Sequence, residues 1–399
     1  MAVLPGMSRT DSPMPNLSPA VSRSARIVSV DIFRGLVILV MIFVNDVAGV
    51  SGLPWWTYHM PPGVNGMTYV DMVFPLFLFI LGMSIPLALE RRLGRGDSSL
   101  KVAWHVTVRS ASLVVLGILL ANQGDVSPEL TGLGATAWRL LAYAGVLLAW
   151  NVYPPSVRWG TVFRILKGLG FALLAAMLVI YRRRTPSGEA AWLAFGYWEI
   201  LGLLGCAYFA SAVLYLVFRK QPRLLPAVLA ALVGLNIYAT VGWPAWFKPL
   251  LRHWPFEAGL CSLSMAGIVA STVFFEKGPF RGKAFRALAY GAILLASGWA
   301  LSPLGISKNH DTPAWCLLSA GAGVLMFLAL YWLADVKRRT GWAAFVHPAG
   351  SNTLLTYLLP DIWYAVPALT ALAHPWSRGA AGAVRSLVFT AVILALSAV

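Results

Sequence analysis

Length, composition and charge restrict the chain to a few classes of protein. It has 399 residues, of which 58% are hydrophobic and only 12% are charged, whereas soluble domains carry about a quarter charged residues. The net charge of +16 does not indicate nucleic-acid binding, because the basic residues stand in short clusters between apolar runs of about 20 residues, long enough to cross a membrane as helices. The runs lack the alternation of an outer-membrane barrel, so the sequence predicts a helical membrane protein.

The chain begins with a segment unlike the rest. Residues 1–28 are rich in Ser, Pro and Arg and have no apolar core, which predicts a disordered cytosolic tail and not a signal peptide. Residues 29–399 are predicted to form a single transmembrane domain, an all-α polytopic bundle of eleven or twelve spans. The twelve candidate spans are 32–52, 69–90, 102–121, 137–153, 162–181, 195–218, 224–242, 258–276, 285–304, 313–334, 347–368 and 381–399.

Basic residues in the connections predict the orientation. The loops 53–68 and 122–136 contain no Lys or Arg and are predicted to lie outside, with the N-terminus in the cytosol. The cluster Arg182–Arg184 is the exception, since the count of spans places it outside as well. Either span 4 or span 5 is miscounted, or the cluster has a function there.

Span 1 carries polar residues on one face. Asp31, Arg34 and Asn45 fall within a narrow sector at 100° per residue, and Arg34 and Asn45 are about 16 Å apart along the helix axis. Polar groups inside lipid are costly and usually face the protein interior. The stripe indicates a ligand-binding face, or simply an Asp–Arg pair together with an Asn that bonds a neighbouring helix.

The next loop and span supply a candidate acid–base pair. His59 is followed by Pro61-Pro62, and Asp71 opens span 2. A histidine titrates near neutral pH and can act as a base or nucleophile, and span 2 brings a carboxylate back to the same membrane face. The alternative is that His59 is an ordinary surface residue of the loop.

Polar residues also follow span 9 and interrupt span 11. The connection with Lys308, Asn309 and His310 lies on the predicted outer side and is either a sugar-binding site or a solvated loop. Asn352 lies inside span 11, where it lines a site or bonds another helix.

Two further charged residues stand in or near spans. Arg109 in span 3 needs an anionic partner, either a cofactor phosphate or an acidic side chain. Glu199 near the start of span 6 is interpreted as an interfacial residue. The sequence has no HExxH motif or acidic cluster that would indicate a metal, and no glycine pattern for ATP or NAD.

Several segments resemble the heparan-α-glucosaminide N-acetyltransferase family, a group of multi-span acyltransferases with bacterial relatives. The most specific are SVDIFRGLVILVMIFVND (Ser29–Asp46), His59 and NGMTYVDMVFPLFLFILGMSI (Asn65–Ile85). Weaker similarity follows in the same order, in WEILGLLGCAYF, ISKNHDTPAWCLLSAG and HPAGSNTLLTY. The resemblance implies a transmembrane acyltransferase domain over residues 29–399. It would transfer acetyl from cytosolic acetyl-CoA to an amino sugar or glycan, such as heparan sulfate, on the other side of the membrane.

The resemblance also implies roles for residues. His59 occupies the position of the family's active-site histidine, with Asp71 and Asn45 as its catalytic partners. Other residues match positions of the family or are expected to contact one of the two substrates. Arg34, Asp31 and Arg109 are expected to contact acetyl-CoA, and Lys308, Asn309, His310 and Asn352 to contact the acceptor, with no metal involved.

The resemblance also implies a homodimer, and the sequence is typical of a bacterial inner-membrane protein. Two other functions remain open: a secondary transporter of a small polar solute, which would need broken helices near the membrane midplane, and a non-catalytic subunit of an envelope-polymer assembly.

Overall fold

The fold is an all-α bundle, as the sequence predicts. A computed structural model describes residues 27–155, 158–195, 198–242, 257–366 and 376–398, and the predicted cytosolic tail lies almost wholly outside them. Within these residues the helices are α1 Val28–Val47, α2 Val73–Leu93, α3 Ser99–Asn122, α4 Pro128–Thr131, α5 Ala135–Trp150, α6 Gly160–Ile180, α7 Glu199–Phe218, α8 Leu225–Val241, α9 Ala258–Phe274, α10 Phe280–Ala300, α11 Pro313–Tyr331, α12 His347–Ser351, α13 Thr353–Ala365 and α14 Gly379–Leu396.

Each of the twelve predicted spans coincides with helix. In the described part of the chain, eight helical stretches are long and apolar enough to cross a membrane, and α5 and α9 are shorter apolar helices. The eleventh predicted span is interrupted: α12 ends at Ser351, Asn352 adopts φ −109° and ψ 48°, and α13 begins at Thr353. The chain is therefore a polytopic integral membrane protein.

Successive helices run in opposite directions, so the connections gather at two ends of the bundle. At one end, the Asp335 carboxylate accepts hydrogen bonds from the Val28 and Ser29 amides, both at 3.0 Å. The carboxylate thus satisfies N–H groups that the first turn of α1 leaves without partners. We call this the Arg34 end and the opposite one the His59 end.

The cluster Arg182–Arg184 lies at the His59 end. Helices α5 and α6 are both formed, and after α6 the chain makes a short hairpin of β1 Arg183–Arg184 and β2 Ala190–Ala191. The hairpin contacts the loop after α3, where Arg184 Nη2 lies 2.5 Å from Glu129 Oε2. A miscounted span 4 or 5 therefore does not explain the cluster.

The centre of the bundle is a close contact between α2 and α9. Almost every residue of α9 is buried, because α9 is surrounded by α2, α7, α8, α10 and α11. The two backbones meet at glycines: a Cβ added to Gly82 would lie 1.8 Å from Ser264 O, and one added to Gly267 would lie 2.0 Å from Phe79 O. Small residues permit this approach, as is common between membrane helices. The contact fixes α2, which directly follows the 3-10 turn Val70–Met72 that carries Asp71.

Candidate active site

The loop that carries His59 is held in place from two sides. Within the loop, Thr68 Oγ1 donates to Tyr58 O at 2.8 Å. Across the molecule, Gly66 N donates to Ile306 O at 2.9 Å and Ile306 N donates to Asn65 Oδ1 at 2.7 Å. These bonds join two predicted outer loops, so His59 and Lys308 come together although they are far apart in the sequence.

His59 and Asp71 form the predicted pair. His59 Nδ1 lies 2.7 Å from Asp71 Oδ1, and only 2% of the Asp71 side chain is exposed. The other carboxylate oxygen accepts from Thr68 N at 3.0 Å and Met60 N at 3.1 Å, and it lies 3.2 Å from Thr68 Oγ1. Because Asp71 is surrounded by donors, His59 Nδ1 carries the proton in this contact, and Nε2 keeps its lone pair.

Lys308 faces the same imidazole. Its ammonium nitrogen lies 3.4 Å from His59 Nδ1 and 3.5 Å from Nε2. Burial lowers the pKa of Lys308, while the negative charges of Asp71 and Asp311 act in the opposite direction. The imidazole therefore has an anion, Asp71, at Nδ1 and a cation, Lys308, beside the ring.

These residues border a cavity between α1, α2, α7 and α13. Its wall is apolar except for Asn45, His59, Lys308 and Tyr357. A mostly apolar cavity with a few converging polar groups is typical of a small-molecule site. The structure thus brings three predicted site residues, Asn45, His59 and Lys308, to one cavity together with Tyr357. Asn45 is exposed there, at the end of the polar stripe of α1.

Sequence reasoning missed Tyr357 and misread Glu199. Tyr357 Oη donates to Glu199 Oε1 at 2.6 Å, and Glu199 Oε2 accepts from Leu201 N at 2.9 Å. Glu199 is therefore a partly buried residue behind the cavity wall and not simply an interfacial one. The only sequence signal was a carboxylate next to a span, and nothing in the sequence links it to a tyrosine 158 positions away.

The other predicted site residues lie elsewhere. Arg34 Nη1 is 3.6 Å from Asp31 Oδ1, and the guanidinium also donates to Gly350 O at 3.3 Å and Ser84 Oγ at 3.1 Å. Asn352 Nδ2 donates to Ser397 O at 3.2 Å. All of these contacts are at the Arg34 end, so Asn352 is not brought to His59.

Three further candidates are exposed. The Arg109 guanidinium lies 5.1 Å from the centroid of the Tyr208 ring and makes a cation–π contact. Asn309 and His310 are exposed at the His59 end, next to Lys308 but outside the cavity wall. Among the residues that the structure describes, no group of three or more His, Cys, Asp or Glu side chains could hold a metal ion.

Comparison with known proteins gives two results. The family model described as "Domain of unknown function (DUF5009)" matches residues 26–245. The heparan-alpha-glucosaminide N-acetyltransferase of Mus musculus is 36% identical over 142 residues, which cover 35% of this chain and 20% of that protein. The Homo sapiens protein of the same name is 35% identical over 144 residues, with the same coverage. The chain is thus similar to about a fifth of the length of these curated relatives.

Proposed function

Because the chain belongs to the DUF5009 family and is related to transmembrane N-acetyltransferases, we propose that it is a membrane-embedded acetyltransferase. It transfers acetyl from acetyl-CoA to an amino sugar or glycan. Acetyl-CoA binds from the Arg34 end, which faces the cytosol with the N-terminus, and the acceptor binds at the His59 end. The proposed location is a bacterial inner membrane, and a homodimer is the proposed assembly.

The observation that carries the proposal is the arrangement around His59. Asp71 accepts from His59 Nδ1 and so orients the ring with the Nε2 lone pair available, Lys308 lies beside the same ring, and the ring borders a mostly apolar cavity. A secondary transporter does not need such a ring. The one interrupted span that the described helices show, at Asn352, lies at the Arg34 end and not at the midplane, which also supports an enzyme.

Two chemical routes use the same residues. His59 Nε2 either attacks the thioester carbonyl and carries the acetyl group, or takes a proton from the attacking acceptor. Asp71 stabilises the positive charge that the imidazole acquires in either route. The Asn45 amide, which lines the same cavity, donates a hydrogen bond to the oxyanion.

Arg34 is suited to bind the phosphate groups of acetyl-CoA. Its side chain is 28% exposed and lies about 16 Å along α1 from Asn45, a distance that an extended pantetheine arm can span. Arg109 and Asp31 are the other proposed contacts of the donor. Lys308, Asn309 and His310 are the proposed contacts of the acceptor, and Asn352, which faces the Arg34 end, is the weakest of the proposed acceptor contacts.

The test is acetyl-CoA turnover by purified protein with glucosamine and a panel of amino sugars. His59→Ala is expected to lower the acceptor-dependent rate by a factor on the order of 10² or more. His105→Ala is the matched control, because His105 contacts Arg92 at 3.2 Å, away from the cavity. Equal activity of the two variants would contradict the role of His59, and well-folded wild-type protein that neither binds nor turns over acetyl-CoA would overturn the enzyme.

A further inference from the structure

Tyr357 lies in the cavity wall, and its hydroxyl group already donates a hydrogen bond to another residue. Its O–H donates to Glu199 Oε1 at 2.6 Å, so the hydroxyl oxygen can only accept from any further partner. A ligand group that meets Tyr357 must therefore be a donor. The carboxylate behind the tyrosine makes this part of the wall favourable for a cation.

Glu199 is held in an unfavourable backbone conformation. Its φ is +55°, in the left-handed region that side-chain-bearing residues rarely adopt. The residue is also the first of the 20 residues of α7, where the positive end of the helix dipole stabilises a carboxylate. Strained residues that survive at a cavity are frequently functional, and capping the helix would not require a strained glutamate.

The charges in the cavity are arranged unequally. The cation Lys308 stands beside His59, while Glu199 stands behind Tyr357. An ammonium group is repelled from the first position and attracted to the second. An acceptor that carries an amine would therefore enter with its nitrogen towards Tyr357.

From these contacts we infer that Tyr357 and Glu199 hold the acceptor's ammonium group and remove its proton. This inference rests on the proposed acetyltransferase function with an amino sugar as the acceptor. An ammonium nitrogen has no lone pair, so it must lose a proton before it attacks a carbonyl. The ammonium proton passes to Tyr357 Oη as the tyrosine's own proton passes to Glu199, which leaves a neutral amine, a neutral tyrosine and a protonated carboxyl group.

The rest of the reaction then balances. The amine nitrogen bonds to the acetyl carbonyl carbon, the carbon–sulfur bond breaks, and the second proton leaves the nitrogen through His59 to the sulfur. The products are the amide, the free thiol of CoA and one proton on Glu199, which returns to water before the next cycle. In this scheme Tyr357 touches the substrate, while Glu199 acts through it as a positioning and proton-accepting residue.

The test compares Glu199→Gln with wild type across pH and across two acceptors. The glutamine amide oxygen still accepts from Tyr357, but the side chain cannot take a proton. With glucosamine, kcat/KM is expected to fall by about 10-fold or more near pH 6.5, and to approach the wild-type value near pH 9, where the amine is already neutral. With a p-aminophenyl glycoside, whose arylamine is neutral throughout, the variant is expected to match wild type.

Glu90→Gln is the matched control. Glu90 also accepts from a tyrosine, Tyr215 Oη at 3.0 Å, but at the Arg34 end. It is expected to change neither the pH profile nor the acceptor preference. A Glu199→Gln variant whose rate falls equally at every pH and with both acceptors has a structural defect only, and that result overturns the inference while leaving the acetyltransferase intact. Wild-type protein that acetylates neither amine would overturn both.

Discussion

At the scale of single residues, two side chains that border the cavity, His59 and Tyr357, are each oriented by a carboxylate behind them. Asp71 orients His59, and Thr68 and the Met60 amide in turn surround Asp71. Glu199 orients Tyr357 in the same way. Groups held like this need not reorganise when a reaction begins, which is the main source of electrostatic catalysis.

Replacing Asp71 by Asn is expected to reverse the His59 tautomer. The two backbone amides that donate to Oδ2, those of Met60 and Thr68, keep the amide oxygen at that position, so the amide N–H group faces His59 Nδ1. The ring must then accept at Nδ1 and carry its proton on Nε2, and the acetyl-transfer rate should fall by about 10²-fold or more. Asp97→Asn, which changes an ion pair with Arg92 and Lys101, is the control. Unchanged activity of Asp71→Asn would refute the tautomer argument.

Lys308 gives a pH-dependent contribution to stability. Burial lowers its pKa below the ordinary 10.5, so the unfolded chain holds more protons than the folded one between the two values. Stability therefore rises with pH across that window. In thermal unfolding in detergent, the advantage of wild type over Lys308→Met is expected to increase as the pH approaches 10.5. A constant difference between the two proteins would show that the amine is not desolvated in the folded state.

The sequence predicts the site only in part. His59, Asp71 and Asn45 lie within one short stretch of chain, where helical spacing and a returning span place them at one membrane face, and the structure brings them together. The pairing of Tyr357 with Glu199 depends on how α7 and α13 pack, and an isolated polar residue carries no information about that. Asn352 shows the same limit, because its polarity was visible but the end of the bundle that it faces was not.

At the scale of helices, every predicted span overlaps a helix, and in the described part of the chain eight helical stretches are long and apolar enough to cross a membrane. The break at Asn352 was missed because the apolar run from 347 to 368 was taken as one span, although Gly350, Ser351 and Asn352 are residues that favour turns. Gly350 is needed for packing: a Cβ there would lie 2.5 Å from Asp31 O. Contacts between helices thus determine details that hydrophobicity does not.

The glycines between α2 and α9 give a test at this scale. Gly82→Ala places a methyl group against the Ser264 carbonyl, so the helices must separate, at a cost of about 1–3 kcal/mol or more. We expect a clearly lower melting temperature and reduced yield of folded protein. Gly234→Ala in α8 has nothing within 4 Å and should be neutral or slightly stabilising, since alanine favours helix by up to about 1 kcal/mol. Equal melting temperatures would argue against this close contact.

At the scale of the whole molecule, the connections alternate between two ends, and the basic cluster Arg182–Arg184 stays at the His59 end. The cysteines Cys206, Cys261 and Cys316 are all buried, so they should give little background in labelling experiments. Single introduced cysteines can therefore report which end faces the cytosol.

Two such cysteines test the proposed orientation. Ser187 lies in the exposed hairpin at the His59 end, and Arg95 is exposed at the opposite end. In intact cells, a membrane-impermeant maleimide is expected to label Ser187→Cys, and Arg95→Cys only after permeabilisation. The reverse pattern would show that the protein has the opposite orientation in the membrane. Labelling of both variants in intact cells would contradict the placement of these two connections at opposite ends of the bundle.

The contact between α2 and α9 has a consequence for biosynthesis. Helix α2 ends at Leu93 and α9 begins at Ala258, so the ribosome adds more than 160 residues between them. At about 5–20 residues per second this takes roughly 10–30 s. During that time the face of α2 that carries Gly82 lacks α9, against which it packs in the folded protein. The nascent chain must therefore be protected by the insertion machinery until its second half emerges.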